Sequence, residues 1–422
     1  MINMKEVFRM SSKSMCYRPL FSHRNFMKTI VGYNISRFGD SIDAIVFSWL
    51  LYEVTGSAAM IALILAVNYL PTVLLQPFAA ALSERMHKVR TIVACNAVRF
   101  LTVAVTAALY GMGMLNAAVL FGFVLVNSTV EAFESPASAA LSPMLLPPEL
   151  YTPGSAFKGA VGRVVELIGT ACAGGIIGLF GSTTALLIDA FSFLICAGII
   201  ATIRIKEEPA APGEVGASYL SDLKAGFFYV IKKPVVRTLL LLGAFLNFSS
   251  VPYSTFQTVF LADTLGMGPQ MLSAAGLVLT AAMGAGSFLT PKLLARLKRR
   301  TLLALSCTAT AAAYPVFAAA AFAPGAAART AVLMAGLLLI GTAMGVITVL
   351  FNALFMEQVD QSYMARVSGL ANAALTSMLP VGSLLCAAAA AFCPVWATFL
   401  IAGAFLLLAF LPISRTKGFQ GM

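Results

Sequence analysis

A chain of 422 residues that is 59% hydrophobic and 11% charged, with a mean hydropathy of +0.89, has too little polar surface to cover a water-soluble globule. The net charge of +11 does not point to nucleic acid, because the basic residues fall in short clusters between apolar runs. Seven cysteines without a CxxC pair and only two histidines, His23 and His87, indicate neither disulfides nor a metal site and leave no histidine-based catalytic pair. The expectation is an all-α polytopic membrane protein that is not an enzyme and needs no cofactor.

The first 25 residues carry Lys5, Arg9, Lys13, Arg18 and Arg24 without an apolar core of signal-peptide length, and read as an uncleaved cytoplasmic tail over 1–27. Beyond it, apolar runs of about 20 residues bounded by polar, Gly or Pro residues predict twelve spans. They fall near 28–53, 57–82, 90–111, 115–137, 158–180, 184–203, 236–262, 270–294, 301–322, 330–356, 365–391 and 395–413.

The first span holds Arg37, Asp40 and Asp43 in its middle. A central Arg or Asp facing lipid costs roughly 2.5 to 3.5 kcal/mol, so these charges must face protein or water. At about 100° per residue, Asn34, Arg37, Asp40, Ser41 and Ser48 share one side, Ile35, Ile42 and Val46 the other, and Asp43 lies at the margin. Either this face lines an aqueous pathway, or Arg37 and Asp40 form a buried i, i+3 pair that ties helices together.

The loops sort by charge. On the side of the N-terminus they hold Arg85, Lys88 and Arg90; Lys158; Arg204, Lys206, Lys224, Lys232, Lys233 and Arg237; Lys292, Arg296, Lys298, Arg299 and Arg300; and Arg415 and Lys417, whereas the other side offers Arg329. Both termini are expected in the cytoplasm. The longest polar interruption, with Glu207-Glu208-Pro209 and Ala211-Pro212-Gly213, divides the spans into six and six. The expected organisation is a six-helix bundle over 28–203, a cytoplasmic linker over 204–235 with an amphipathic helix from Ser218 to Lys233, a second bundle over 236–413, and a tail over 414–422. Pro77, a basic loop and Arg90-Thr91-Ile92 recur as Pro291, a basic loop and Arg300-Thr301-Leu302, an offset of about 210 residues that suggests two pseudo-repeats.

With Ala80-Ala81-Leu82-Ser83-Glu84-Arg85-Met86-His87-Lys88-Val89-Arg90 after span 2, the chain resembles the major facilitator superfamily, whose loop there is of the G-x-x-A-D-R-x-x-R-R type. Ala80 stands for the Gly and Glu84 for the Asp. Phe133-Glu134-Ser135-Pro136-Ala137, Leu146-Pro147-Pro148-Glu149-Leu150, the Lys224–Pro234 segment and Arg366-Val367-Ser368-Gly369-Leu370 are similar to its bacterial macrolide-efflux and enterobactin-exporter-like branch. The resemblance implies the twelve-helix major facilitator fold in a bacterial cytoplasmic membrane, and a cytoplasmic gate made by Glu84, Arg85, Lys88 and Arg90.

In span 5, Gly169, Gly174, Gly175 and Gly178 occupy the place of the superfamily's exporter-type glycine motif, with Thr170 where its proline stands. They serve either as a pivot or as plain helix packing. Arg99, Glu131, Glu134, Arg163 and Glu166 fall in the cytoplasmic halves of spans 3 to 5 and are expected to form a network with Arg37; Asp189 reads as a helix-end or packing acid. Since the superfamily's cavity is lined by spans 1, 4, 7 and 10, the resemblance implies a lining that includes Asn34, Phe245, Asn247, Tyr253, Phe256, Gln257, Phe351, Asn352 and Phe355.

The expected function is a monomeric secondary transporter exporting an amphipathic organic compound, such as a drug, macrolide or siderophore, in exchange for protons. Asp40 is the first candidate for the coupling acid, then Asp43, Glu134 and Glu131. No GxxxxGK[ST] sequence is present, which leaves an ion gradient as the energy source. Uptake or facilitated diffusion of a metabolite, and a membrane sensor or scaffold that moves nothing, are the alternatives.

Overall fold

The computed structural model describes residues 18–83, 86–205, 227–360, 364–416 and 419. Glu84 and Arg85 of the gate loop and most of the linker, including the start of its expected helix at Ser218, lie outside them.

Among the described residues every regular element is helical. The long helices are α1 (Arg24–Thr55), α2 (Ala58–Ser83), α3 (Lys88–Gly111) and α4 (Ala117–Met144), then α5 and α6, which share the stretch Tyr151–Ala201. The second half has α7 (Pro234–Val259), α8 (Pro269–Leu294), α9 (Arg299–Ala320), α10 (Gly325–Gln358), α11 (Met364–Ala390) and α12 (Val395–Ser414). Among the described residues ten helical stretches are long and apolar enough to cross a membrane. The α5–α6 stretch counts once among them but contains two crossings, and α1 has the length while its charges exclude it, which makes twelve.

Local chemistry sets the ends. Pro234 and Pro269 open α7 and α8, where a missing N–H leaves nothing unpaired. Gly56 closes α1 at φ 56°, donating its N–H to the Tyr52 carbonyl. Two boundaries differ from the sequence expectation. Helix α4 runs through Pro136 to Met144 instead of stopping near 137, and α5 begins at Tyr151 rather than 158, so the basic ends of both helices project further. Between α5 and α6 there is no loop: Gly181, at φ 81° and ψ 164°, breaks the helix, and the chain turns back so that Phe157 and Ile200 share one apolar cluster.

Within the first half α1 packs on α5 and α6, α2 on α4, and α3 on α4 and α6; within the second, α8 packs on α10, α9 on α10 and α12, and α7 on α11 and α12. The halves meet where α2 lies against α11 and α5 against α8, two contacts that exchange under a two-fold relation between the halves. Burial is unequal at the two ends. At the end away from the basic loops one apolar cluster runs through both halves, from Ile42, Leu50 and Ile61 to Phe256, Phe260 and Leu337. At the basic end the halves have separate clusters, around Phe26 and Leu141 in the first and around Leu303 and Phe410 in the second.

Candidate transport cavity

Towards the basic end, where the halves have separate apolar clusters, each half carries open space, taken together as the cavity. On the first half there are adjoining spaces of about 510 and 340 Å³ that share Tyr33, Arg37 and Lys158. On the second half a space of about 270 Å³ is lined by Asn247 and Ser250 of α7, Thr348, Phe351 and Asn352 of α10, and apolar neighbours.

The polar arc of α1 spreads over several neighbours. Arg37 faces the cavity and donates to Glu166 of α5 at 2.9 Å, on the same Oε2 that accepts from Arg163 at 3.0 Å. Asp40, further round the helix, accepts from Arg99 of α3 at 2.7 Å. The expected Arg37–Asp40 pair is therefore replaced by two pairs to other helices. An i, i+3 separation leaves the two side chains about 60° apart, and each finds an opposite charge on a different neighbour. Asn34, grouped with them on the helical wheel, is turned to the α5 side: it donates to the Ile30 carbonyl at 2.7 Å and lines a membrane-side apolar groove. Ser41 lies against Gly169, where a Cβ would stand 2.7 Å from the serine Cβ.

Arg99 is the centre of the network. Besides Asp40 it pairs with Glu134 of α4 at 3.6 Å, and its guanidinium lies 4.0 Å above the ring of Phe193 of α6. Asn96, one turn before it and fully buried, donates to Glu134 at 2.7 Å and to the Ile92 carbonyl at 2.9 Å. Glu131 is exposed on the cavity wall and faces Arg99 from a greater distance. Lys158 completes the wall, its ammonium 4.5 Å from the Tyr33 ring.

Asp189, expected as a helix-end or packing acid, is packed in the junction of α1 and α6. It is 1% exposed on α6, and neither carboxylate oxygen has a hydrogen-bond partner. A Cβ on Gly39 would stand 2.5 Å from its Oδ1, so only glycine lets α1 come this close to α6. The available signal was Asp189 and Phe193 at i, i+4, a spacing that places both on one helix face.

The other expected lining residues separate. Asn247, Phe351 and Asn352 line the cavity, and Phe355 stacks on Phe351 with ring centres 6.0 Å apart. Tyr253 and Phe256 are buried in the closed end, Tyr253 stacked 5.0 Å from Phe317; Phe245 packs against Phe405 of α12, and Gln257 is half-buried beyond them. These residues span several turns of α7, and only the turns near the basic end reach the open space.

The glycines of α5 divide similarly. A Cβ on Gly174 would stand 2.8 Å from the Gln270 Cα of α8, and Gly178 meets the Gln270 side chain, so these two make the contact between halves. Gly169 meets α1 instead, and Gly175 has open space around it. At the same end Tyr52 of α1 donates a hydrogen bond to Asp263, in the π-helical turn Phe260–Thr264 that follows α7, which also bridges the halves. Of the gate loop, Lys88 is buried at the start of α3 and Arg90 exposed beside it. In the second half, Arg299 pairs with Glu357 at 2.5 Å in the related position.

Two pseudo-symmetric six-helix halves around a cavity that is closed at one end define the architecture of a secondary membrane transporter. The family model described as Major Facilitator Superfamily matches residues 29–383, and the chain belongs to that superfamily. Among curated relatives, the chain is 24% identical over 281 residues to the MFS-type transporter YvqJ of Bacillus subtilis (strain 168), which covers 65% of each protein. It is 19% identical over 369 residues to macrolide efflux protein A of Streptococcus pyogenes, covering 84% of this chain and 87% of that one. The match to YvqJ thus spans about two thirds of that relative's length. Among solved structures, nucleoside transporter NupG superposes with a TM-score of 0.75 at 14% identity, over 93% of this chain and 100% of that one. A bacterial homologue of the iron transporter ferroportin gives 0.71 at 15% identity, over 93% and 99%. At these identities the structures establish the fold.

Proposed function

We propose that the protein is a proton-coupled exporter of amphipathic organic compounds, working as a monomer by alternating access in a bacterial cytoplasmic membrane with both termini inside. The observation that carries this reading is the unlike chemistry of the two cavity walls. The first half presents Arg37, Asp40, Arg99, Glu131, Glu134, Lys158 and Glu166, an ionic surface that can exchange protons; the second presents amides, hydroxyls, Phe351 and apolar side chains without a charge. Such a cavity suits a molecule with one apolar face and a few polar groups better than a sugar or an inorganic ion. Likeness to macrolide efflux protein A supports the same substrate class. In this reading the basic loops mark the cytoplasmic side and the cavity opens inward. A membrane potential of 100 mV adds about 2.3 kcal/mol of drive for each charge moved across.

The test is purified protein in vesicles with an imposed pH gradient, screened over macrolides, cationic dyes and siderophores. Gradient-dependent extrusion of at least one of these, with proton movement in the opposite direction, is expected. Accumulation down the cargo's own gradient, indifferent to pH, would replace the reading with a facilitated-diffusion carrier.

A further inference from the structure

The network around Arg99 distributes its charges unevenly. Asp40 and Glu134 are both paired to the guanidinium, and Glu134 also accepts from Asn96. Both carboxylates thus have a cationic partner. Asp189 has none: it is 1% exposed and neither oxygen meets a donor in hydrogen-bond geometry, the Ser192 hydroxyl lying close by on the same helix.

The groups that face Asp189 come from three helices. Gly39 of α1 touches it directly, and Asp43, one turn further along the same helix face, is an electrostatic neighbour of both Asp189 and Arg99. Asp40 acts on it from the cavity side of α1, and Arg99 from α3, held over the Phe193 ring one turn along α6. Glu131 and Glu134 of α4 face Arg99 and compete for its charge. The junction of α1, α3 and α6 therefore brings a fully buried acid, Asp189, near a half-buried one, Asp43, and neither forms an ion pair, whereas Asp40 and Glu134 both do.

We propose that Asp43 and Asp189 form one shared proton-binding site, and that this pair holds the exchanged proton while the cavity is open at the basic end. Burying an ionised carboxylate without a donor costs several kcal/mol. One proton, taken from hydronium with release of water, removes a charge and supplies the missing donor between the two acids. It leaves when Arg99, freed from Asp40 by movement of α1, offers its guanidinium to the pair in the proton's place. Asp40 then serves as the holder of Arg99 in the loaded state. The coupling role rests on the exporter reading; the proton site itself does not.

The experiment is infrared difference titration of purified protein in lipid nanodiscs, in choline buffer so that no sodium ion competes for the carboxylates. The carbonyl stretch of a protonated carboxylic acid is followed against pH. Wild type is expected to show one such band that titrates. In Asp43→Asn and in Asp189→Asn its midpoint should move by at least about one pH unit, as for interacting sites, and the double variant should lose it. A wild-type band surviving in the double variant overturns the proposal, and if that variant does not fold, unchanged midpoints in both singles overturn it. No cargo and no gradient are needed, so this failure leaves the exporter reading intact. Vesicles without gradient-driven transport would remove the exporter reading while leaving the protonated pair.

Discussion

Arg99 shows how much one side chain can hold together. Its removal would leave Asp40 and Glu134 facing each other across a half-dry junction and Phe193 without its cation. Breaking a fully buried pair costs about 3 to 5 kcal/mol; water in the cavity reaches Asp40, whose side chain is 31% exposed, so we expect about 2 kcal/mol for Arg99→Gln. Chemical denaturation in detergent should show that loss, and Asp40→Asn in the same background should restore part of it, a coupling that independent sites would not display. At this scale the sequence was legible in kind but not in pairing. The cost of charge in a membrane singles out Arg37, Asp40, Arg99 and Glu134 from the sequence alone. Which cation meets which anion depends on the rotation of α1 against α3 and α5, which a single chain's periodicity does not contain. Asp189 reads from the sequence as a helix-end or packing acid; it lies inside α6, which starts immediately after Gly181, and packs against Gly39, a contact that the sequence alone does not reveal.

Among the elements, α5 and the strap before α7 make separable demands. Gly174 meets the backbone of α8, and no rotamer change can relieve a side chain added there. Gly174→Leu should wedge the halves apart at the closed end, increasing reaction of a cysteine introduced at Gln270 with a water-soluble thiol reagent; the same change at Gly175, where space is open, should not. The strap, residues 227–233, is held to the end of α10 by Lys233 and Asp360 at 3.1 Å, with the Asp360 N–H donating to the Tyr229 hydroxyl at 2.9 Å. The Lys233 ammonium and then the Tyr229 hydroxyl hold the Asp360 carboxyl below the usual carboxylate range, while the Tyr229 and Asp360 contacts hold Lys233 above the usual lysine range. The acid's contribution is present above its unfolded value and is lost as pH falls through its lowered folded one. The lysine's contribution is present below its unfolded value and is lost as pH rises through its raised folded one. Amide exchange over 227–233 should accordingly show no change in the strap across neutral pH and should reveal loosening only in acid or strong alkali. Asp360→Asn should loosen it at pH 7.

For the molecule as a whole, orientation is the simplest thing to measure. In a variant without its native cysteines, Cys introduced at Ser57 or Asn116 should react with an impermeant thiol reagent added outside cells, and Cys at Gly213 should react only after permeabilisation. Reversed labelling would invert the inner and outer assignment of every charge described above. The twelve crossings and the two-fold echo between Pro77–Arg90 and Pro291–Arg300 were readable from hydropathy and spacing. The fusion of α5 to α6 was not, since a glycine at φ 81° looks like any other glycine in a run of apolar residues.

The continuous apolar cluster that joins the halves away from the basic loops has a consequence for idle turnover. An exchanger that reorients empty lets protons through without cargo, the molecular equivalent of a short circuit. In alternating access, reorientation from this state requires the cluster's first-half members, Leu50 and Ile61 among them, to part from its second-half members, Phe256 and Phe260 among them, and the Tyr52–Asp263 bond to break, with nothing bound to compensate. If the protein is the exporter proposed above, the cluster is insulation as much as packing and is expected to set the leak rate. Substitutions that thin it without touching the cavity are expected to dissipate the pH gradient of vesicles holding no cargo at all, a current visible before any substrate is known.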